Sequence, residues 1–186
     1  MKKNKISYIK SYINKISKKI LENENQKEKI YEIFSVLKKL DKNNIVHVFG
    51  NGGSSSIASH FSMDLTNNSS LKCINYSDPS MITCFSNDFG YENWMKRALE
   101  KFGKKNDILF LISSSGESQN IINALKTAKK LKFKKIIGFS GFYKNNRLSK
   151  QADISFWLNL KNYNMIENIH QIYLLLLVDL FKDFEK

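Results

Sequence analysis

Two glycine/serine loops constrain this chain more than anything else in it: Phe49-Gly50-Asn51-Gly52-Gly53-Ser54-Ser55-Ser56 and Ile112-Ser113-Ser114-Ser115-Gly116-Glu117-Ser118. Each follows a short apolar run of strand character and opens a run of helical character. A strand that ends in a tight glycine loop and feeds a helix is half of a βαβ unit, and two such halves demand a parallel sheet. The N-terminus of a helix carries unpaired N–H groups and the positive end of the helix dipole, so each loop suits an anion, and serine hydroxyls add short neutral donors. Neither loop is a nucleotide signature. No Gly-Lys-Ser/Thr follows, and the first loop departs from Gly-x-Gly-x-x-Gly at its last position, Ser55.

The rest of the chain fits one α/β unit. From Asn44 onward strand and helix alternate: strands at Ile45–Phe49, Leu71–Tyr76, Ile108–Ile112, Lys135–Phe139 and Ile154–Leu160 are separated by helices at Ser54–Leu65, Tyr91–Phe102 and Ser118–Leu131, and Met165–Phe184 closes the chain as a long apolar helix. The expected fold is a doubly wound, five-stranded parallel sheet, with ligand bound at the carboxyl ends of the strands near the topological switch point. Ahead of it, Ile6, Ile9, Ile13, Ile16 and Ile20 recur at helical spacing, and a second helix is expected over Gln26–Leu40. A helical stripe preceding the whole core suits a subunit interface better than a cover for its own sheet. Pro79 is the only proline of the 186 residues and no linker composition divides the chain, so a single domain over 1–186 is expected, with interface helices in 1–41 and the α/β core in 44–186.

Composition narrows the function classes. No signal-peptide core and no run of ~18 apolar residues is present, so a cytoplasmic protein without a membrane span is expected. The formal charge is +13, but the lysines are dispersed through every predicted helix without a binding motif, so no nucleic-acid role is expected. Cys73 and Cys84 lack metal-type spacing and read as packing residues rather than a disulfide.

Several polar residues sit where chemistry could use them. His60 and Asp64 share one face of the helix behind the first loop, and Glu167 and His170 share a face of the last helix. Imidazole and carboxylate groups serve equally for acid–base work at a sugar carbonyl and for Zn²⁺ ligation. Asn87-Asp88-Phe89-Gly90 reads as a turn whose Asp88 could take polyol hydroxyls.

Taken together, Gly50-Asn51-Gly52-Gly53-Ser54 with His60 and Asp64 behind it, Asn87-Asp88-Phe89-Gly90-Tyr91, Ser113-Ser114-Ser115-Gly116-Glu117-Ser118, Gly138-Phe139-Ser140-Gly141 and Ile166-Glu167-Asn168-Ile169-His170 resemble the phosphoheptose isomerases of the sugar isomerase (SIS) family over nearly the whole chain. The resemblance implies a homotetramer with sites between subunits. It also implies conversion of sedoheptulose 7-phosphate to D-glycero-D-manno-heptose 7-phosphate through an enediol, with no redox cofactor, and with zinc in the members that bind it. Carried over residue by residue, Ser54, Ser113, Ser114, Ser115 and Ser118 hold the phosphate, with Gly52 and Gly53 in the same cradle, and Asn51 and Asp88 touch the sugar. The resemblance makes His60 a metal ligand in the members that bind zinc; in a site rearranged around the departures below, the metal set would be His60, Asp64 and Glu167, and the acid–base set Asp64, Glu167 and His170 with His60 beside them. The chain departs from the family at its catalytic centre: Asp64 stands for a glutamate, Glu167 for a glutamine and Leu175 for a histidine, and Asn67 to Ser70 hold no arginine. Two outcomes fit these departures. One is an isomerase with a rearranged acid–base set; the other is a phosphosugar-binding module without turnover, similar to the replication-initiator-associating members of the family.

Overall fold

The computed structural model describes residues 2–21 and 24–184; the expected interface segment 1–41 therefore includes three residues, 1, 22 and 23, that lie outside the described ones. Helices α1 (Lys2–Leu21) and α2 (Glu24–Lys38) precede β1 (Ile45–Gly50), α3 (Gly53–Asn68) and β2 (Lys72–Asn75). Then follow α4 (Pro79–Phe89), a 3-10 turn at Tyr91–Asn93, α5 (Trp94–Phe102), β3 (Ile108–Ile112), α6 (Gln119–Lys130), β4 (Lys135–Ser140), α7 (Arg147–Gln151), β5 (Ile154–Trp157) and α8 (Tyr163–Phe184).

The five strands form one parallel sheet in the order β2-β1-β3-β4-β5, so the chain reverses direction across the sheet between β1 and β3. In that register Gly50 stands beside Ile112, which brings the two glycine/serine loops out side by side at the switch point. β1 and β3 read as unbroken apolar runs because both their faces are covered: Val46, Val48, Ile108, Phe110 and Ile112 pack with Phe61, Leu65, Leu174 and Leu177 on one face, and Phe49, Leu109 and Leu111 with Trp94, Met95 and Leu125 on the other.

Two helices lie outside the expected elements. Asn87 and Asp88 lie in the last turn of α4, not in a turn region; α4 half-buries Met81, Ile82 and Phe85 against the core, Asp78 caps it through the Ser80 and Met81 N–H groups, and Pro79 occupies its first turn. Gly90, at φ +84°, ends it. The short α7 is capped by Asn146, which accepts from Ser149 N at 2.8 Å.

The N-terminal helices divide in role. α2 buries Ile30, Ile33 and Leu37 in its own chain's core, whereas α1 leaves Ile6, Ile9 and Ile13 46–57% exposed and only half-buries Ile16 and Ile20. Cys73 is buried, but Cys84 is exposed on α4, so the packing role expected of it does not hold; both thiols are free. No helix among the described residues is long and apolar enough to cross a membrane.

Candidate functional site

The first loop exists because two glycines allow it. A Cβ on Gly50 would stand 2.3 Å from the Ser54 carbonyl oxygen, so only glycine lets strand and helix approach this closely, and Gly52 takes φ +54°. α3 and α6 then begin without side-chain caps, in contrast to α4 and α7, which cap themselves. Ser55, Ser56 and Ile121 donate their N–H groups to Gly52 O and Asn120 Oδ1, which leaves those of Gly53, Ser54, Gln119 and Asn120 to a ligand.

The second loop is locked to the sheet. Ser113 N donates to Phe139 O at 3.0 Å, Gly141 N donates to Ser114 O at 2.9 Å, and Gly116, at φ +69°, faces the buried Asn146. Between the loops lies a cavity of about 130 Å³, lined by Asn51, Ser54, Ser113, Ser114, Ser115, Ser118 and, from α8, Tyr163 and Glu167. It is too small for a nucleotide and suits a single phosphoryl group. The buried Ser114 hydroxyl lies at the cavity wall near the Glu167 carboxylate, short of a well-formed hydrogen bond to it. Asn51 is held by a reciprocal amide pair with Asn120 (3.0 and 2.9 Å) and by the Tyr91 hydroxyl, which donates to Asn51 Oδ1 at 3.1 Å. Asn120, Tyr163 and the Tyr91 contact were not foreseen from the sequence, since their positions depend on how separate elements meet.

Glu167 lies in this cavity, not beside His60. A Cβ on Gly53 would meet its carboxylate oxygen at 2.4 Å, so the acid rests on the start of α3, where an anion is favoured. Burial pushes its carboxyl above the ordinary carboxylate range, and the nearby Ser114 hydroxyl offsets part of that rise. A carboxylate ~5 Å from a phosphate costs about 3 kcal/mol at an effective dielectric of ~20, and solvent reduces this. Glu167→Gln is therefore expected to tighten inorganic phosphate binding by about tenfold in calorimetry at neutral pH. An unchanged affinity would mean that the side chain leaves the cavity when phosphate enters.

A second polar cluster lies farther along α3. His60 Nε2 is 3.1 Å from Asp64 Oδ2, and His60 Nδ1 is 3.5 Å from the Gln171 amide nitrogen. A carboxylate oxygen can only accept, so the 3.1 Å contact is read as Nε2–H donating to Asp64, with the Gln171 amide facing Nδ1 from farther away. Gly53 and His60 are separated by seven helical residues, roughly 10 Å of rise. The expected metal set is thus split between the two places, and among the described residues no three His, Cys, Asp or Glu groups are arranged to hold a metal ion. The residues present do not fit zinc. Asp88 is exposed, accepts from the Asn87 amide and does not line the cavity.

His170 requires a correction. It lies on the core face of α8, fully buried against Phe139 and Phe156, with Nε2 3.3 Å from the Ser140 carbonyl oxygen. It reaches no cavity and cannot serve as a catalytic group. Burial lowers its pKa to about 4 from an ordinary 6.5. The unfolded chain therefore binds a proton that the folded one refuses, so this stability is complete above pH 6.5 and is lost as pH falls toward 4, by about 3 kcal/mol. A His170→Leu variant is expected to flatten thermal stability between pH 6.5 and 4 relative to the unmodified protein; parallel curves would refute a buried neutral imidazole. Asp107, whose carboxyl is held below its ordinary 3.8, acts only below that window.

Residues 8–141 match the family model described as SIS domain. A phosphoheptose isomerase of Glaesserella parasuis is 40% identical over 130 residues; that match takes in 67% of this chain but just under two thirds, 66%, of the relative. One from Fusobacterium nucleatum is 32% identical, with 95% of this chain and 92% of the relative covered. The solved structure of a phosphoheptose isomerase from Francisella tularensis superimposes with a TM-score of 0.86 at 27% identity, covering 95% of this chain and 97% of that one.

Proposed function

Because the chain belongs to the SIS domain family and is related over nearly its full length to phosphoheptose isomerases, we propose that it is an aldose–ketose isomerase of sugar phosphates, converting sedoheptulose 7-phosphate to D-glycero-D-manno-heptose 7-phosphate. The observation that carries this reading is the pairing of a phosphoryl-sized cavity at two uncapped helix starts with an Asp–His pair farther along the same helix. The spacing suits a long sugar. An extended chain gains about 1.2 Å per bond, so the eight bonds from C1 to the phosphorus of a heptose 7-phosphate span the roughly 10 Å between Gly53 and His60.

In this mechanism the serine hydroxyls and the N–H groups of α3 and α6 fix the phosphate, and Asn51, held by Asn120 and Tyr91, orients the polyol. Asp64 removes the proton from C1 of the ketose with its other carboxylate oxygen while His60 turns its Nε2 proton from Asp64 to the C2 oxygen, forming the enediol. The return transfer takes the proton from the C1 hydroxyl and delivers one to C2, leaving the aldose. Asp64 and Glu167, which depart from the pattern of the family, make this a rearranged site in which Glu167 tunes the phosphate cavity. No redox cofactor is needed, since the hydrogen moves within the substrate.

A homo-oligomer completes the reading. An apolar groove of about 430 Å³ runs between α1 and α8, lined by Tyr12, Ile13, Ile16, Ile172 and Leu175 together with Gln171, the partner of His60. A second copy laid on this face would cover the exposed α1 stripe and exclude water from the His60–Asp64 pair, in line with a tetramer. The reading is tested by turnover of sedoheptulose 7-phosphate. Formation of the aldose supports it, whereas phosphosugar binding without turnover moves the protein to the non-catalytic branch.

A further inference from the structure

A second cleft, of about 330 Å³, opens at the free edge of the sheet, between the first turns of α2 and the β5–α7 side. Its volume falls in the range of small-molecule sites, unlike the serine cavity. Three lysines from three places in the chain converge on it: Lys29 of α2, Lys144 from the loop after β4 and Lys150 of α7; no Asp or Glu lines it. Lys29 is already paired with Glu32 at 2.6 Å, while Lys144 and Lys150 have no ion-pair partner among the described residues. At its floor the Ser155 hydroxyl is buried without a hydrogen-bond partner, a group that a ligand oxygen would satisfy.

Trp157 supplies the remaining wall. Its indole Nε1 donates to the Gly141 carbonyl at 3.2 Å and its own carbonyl accepts from the Gln26 amide, so the half-buried ring is held in one orientation before any ligand arrives. A rigidly held indole beside uncompensated ammonium groups matches a ligand with a flat ring and more than one phosphate. We propose that this cleft is a nucleoside diphosphate site, separate from the sugar-phosphate cavity, in which Lys144 and Lys150 hold the phosphates, Ser155 donates to one of their oxygens and Trp157 packs on the base. The two sites are joined by a short path: the Gly141 peptide accepts from Trp157 through its carbonyl and donates to Ser114 O of the second loop through its nitrogen.

The test is an ADP titration of the intact protein, read by calorimetry and by tryptophan fluorescence; Trp94, the other tryptophan, is 2% exposed and away from the cleft. A saturable signal is expected. Lys144→Ala with Lys150→Ala is expected to weaken ADP by about tenfold or more, as lost charge-assisted contacts do, while Ser115→Ala leaves ADP affinity unchanged. Trp157→Phe should abolish the fluorescence change and keep weaker binding in calorimetry. Absence of saturable ADP binding, or equal binding by the double lysine variant, would overturn the site. Inorganic diphosphate binding as tightly as ADP would overturn the assignment to a nucleotide.

Discussion

Asp64→Asn is expected to lower turnover of sedoheptulose 7-phosphate by about 10² to 10⁴-fold, the range that a positioned general base supplies, without altering the affinity of the serine cavity for inorganic phosphate. The two effects separate because the carboxylate and the cavity lie at different levels of α3. His60 Nε2 is bonded to Asp64 Oδ2 at 3.1 Å, which leaves the other carboxylate oxygen for the substrate proton. An asparagine keeps the size of the side chain and its bond to His60, but it cannot accept the proton. Folding is expected to survive, since Asp64 is about 30% exposed at its side chain and packs no core. Measured kcat with phosphate Kd for the same preparation decides the matter. Unchanged turnover would remove Asp64 from the chemistry, and a lost phosphate affinity would show that the variant disturbs α3 as a whole.

The same dependence on local against distant information explains what the sequence disclosed. The loops were legible because glycine tolerates what other residues do not. Gly50 is required by the Ser54 carbonyl, Gly52 and Gly116 by positive φ, and each requirement is met within a few residues of chain. The parallel sheet was legible because strands covered on both faces read as short apolar runs. β2 and β5 came out shorter than their apolar stretches, since Leu71, Tyr76, Leu158 and Leu160 are buried beyond the strand ends. α4 was missed as a helix because its last turn, Asn87-Asp88-Phe89-Gly90, has the residues of a turn, although Met81, Ile82 and Phe85 recur at helical spacing and Asp78-Pro79 was a readable start signal.

Site residues on α8 were the hardest to place. Glu167 and His170 are three residues apart, and the sequence alone treats both as inward-facing. The rotation of α8 against α3 and the sheet sends Glu167 to the phosphate cavity and His170 into the core. That rotation is fixed by Ile166, Ile169, Tyr173, Leu174 and Leu177 packing beneath the sheet, contacts distant in sequence. The split of the implied metal set has the same origin.

The largest effect on stability is expected far from the cavity, at Asp107. This fully buried carboxylate accepts from His47 Nε2 at 2.9 Å, Ile45 N at 2.9 Å, Lys104 N at 2.9 Å and Asn44 Nδ2 at 3.0 Å, and the other nitrogen of His47 meets the Tyr76 hydroxyl at 2.9 Å. Burial alone would raise the carboxyl; the bonds from His47, Asn44, Ile45 and Lys104 outweigh it and keep the group ionised. The acid thereby ties the entries of β1 and β3 together at the end of the sheet opposite the two loops. Asp107→Ala leaves two backbone N–H groups and an imidazole without partners, and breaking a buried ionic network of this kind costs about 3–5 kcal/mol. Against a total of roughly 5–15 kcal/mol for a domain, that is a large share. Urea unfolding is expected to show the midpoint falling steeply, with Asp107→Asn intermediate because it retains an acceptor. Phosphate affinity of the folded fraction is expected to stay unchanged, because the strands deliver the loops from the far end. A loss below about 1 kcal/mol in the alanine variant would mean that water satisfies the exposed donors and that the network does not hold the strand entries.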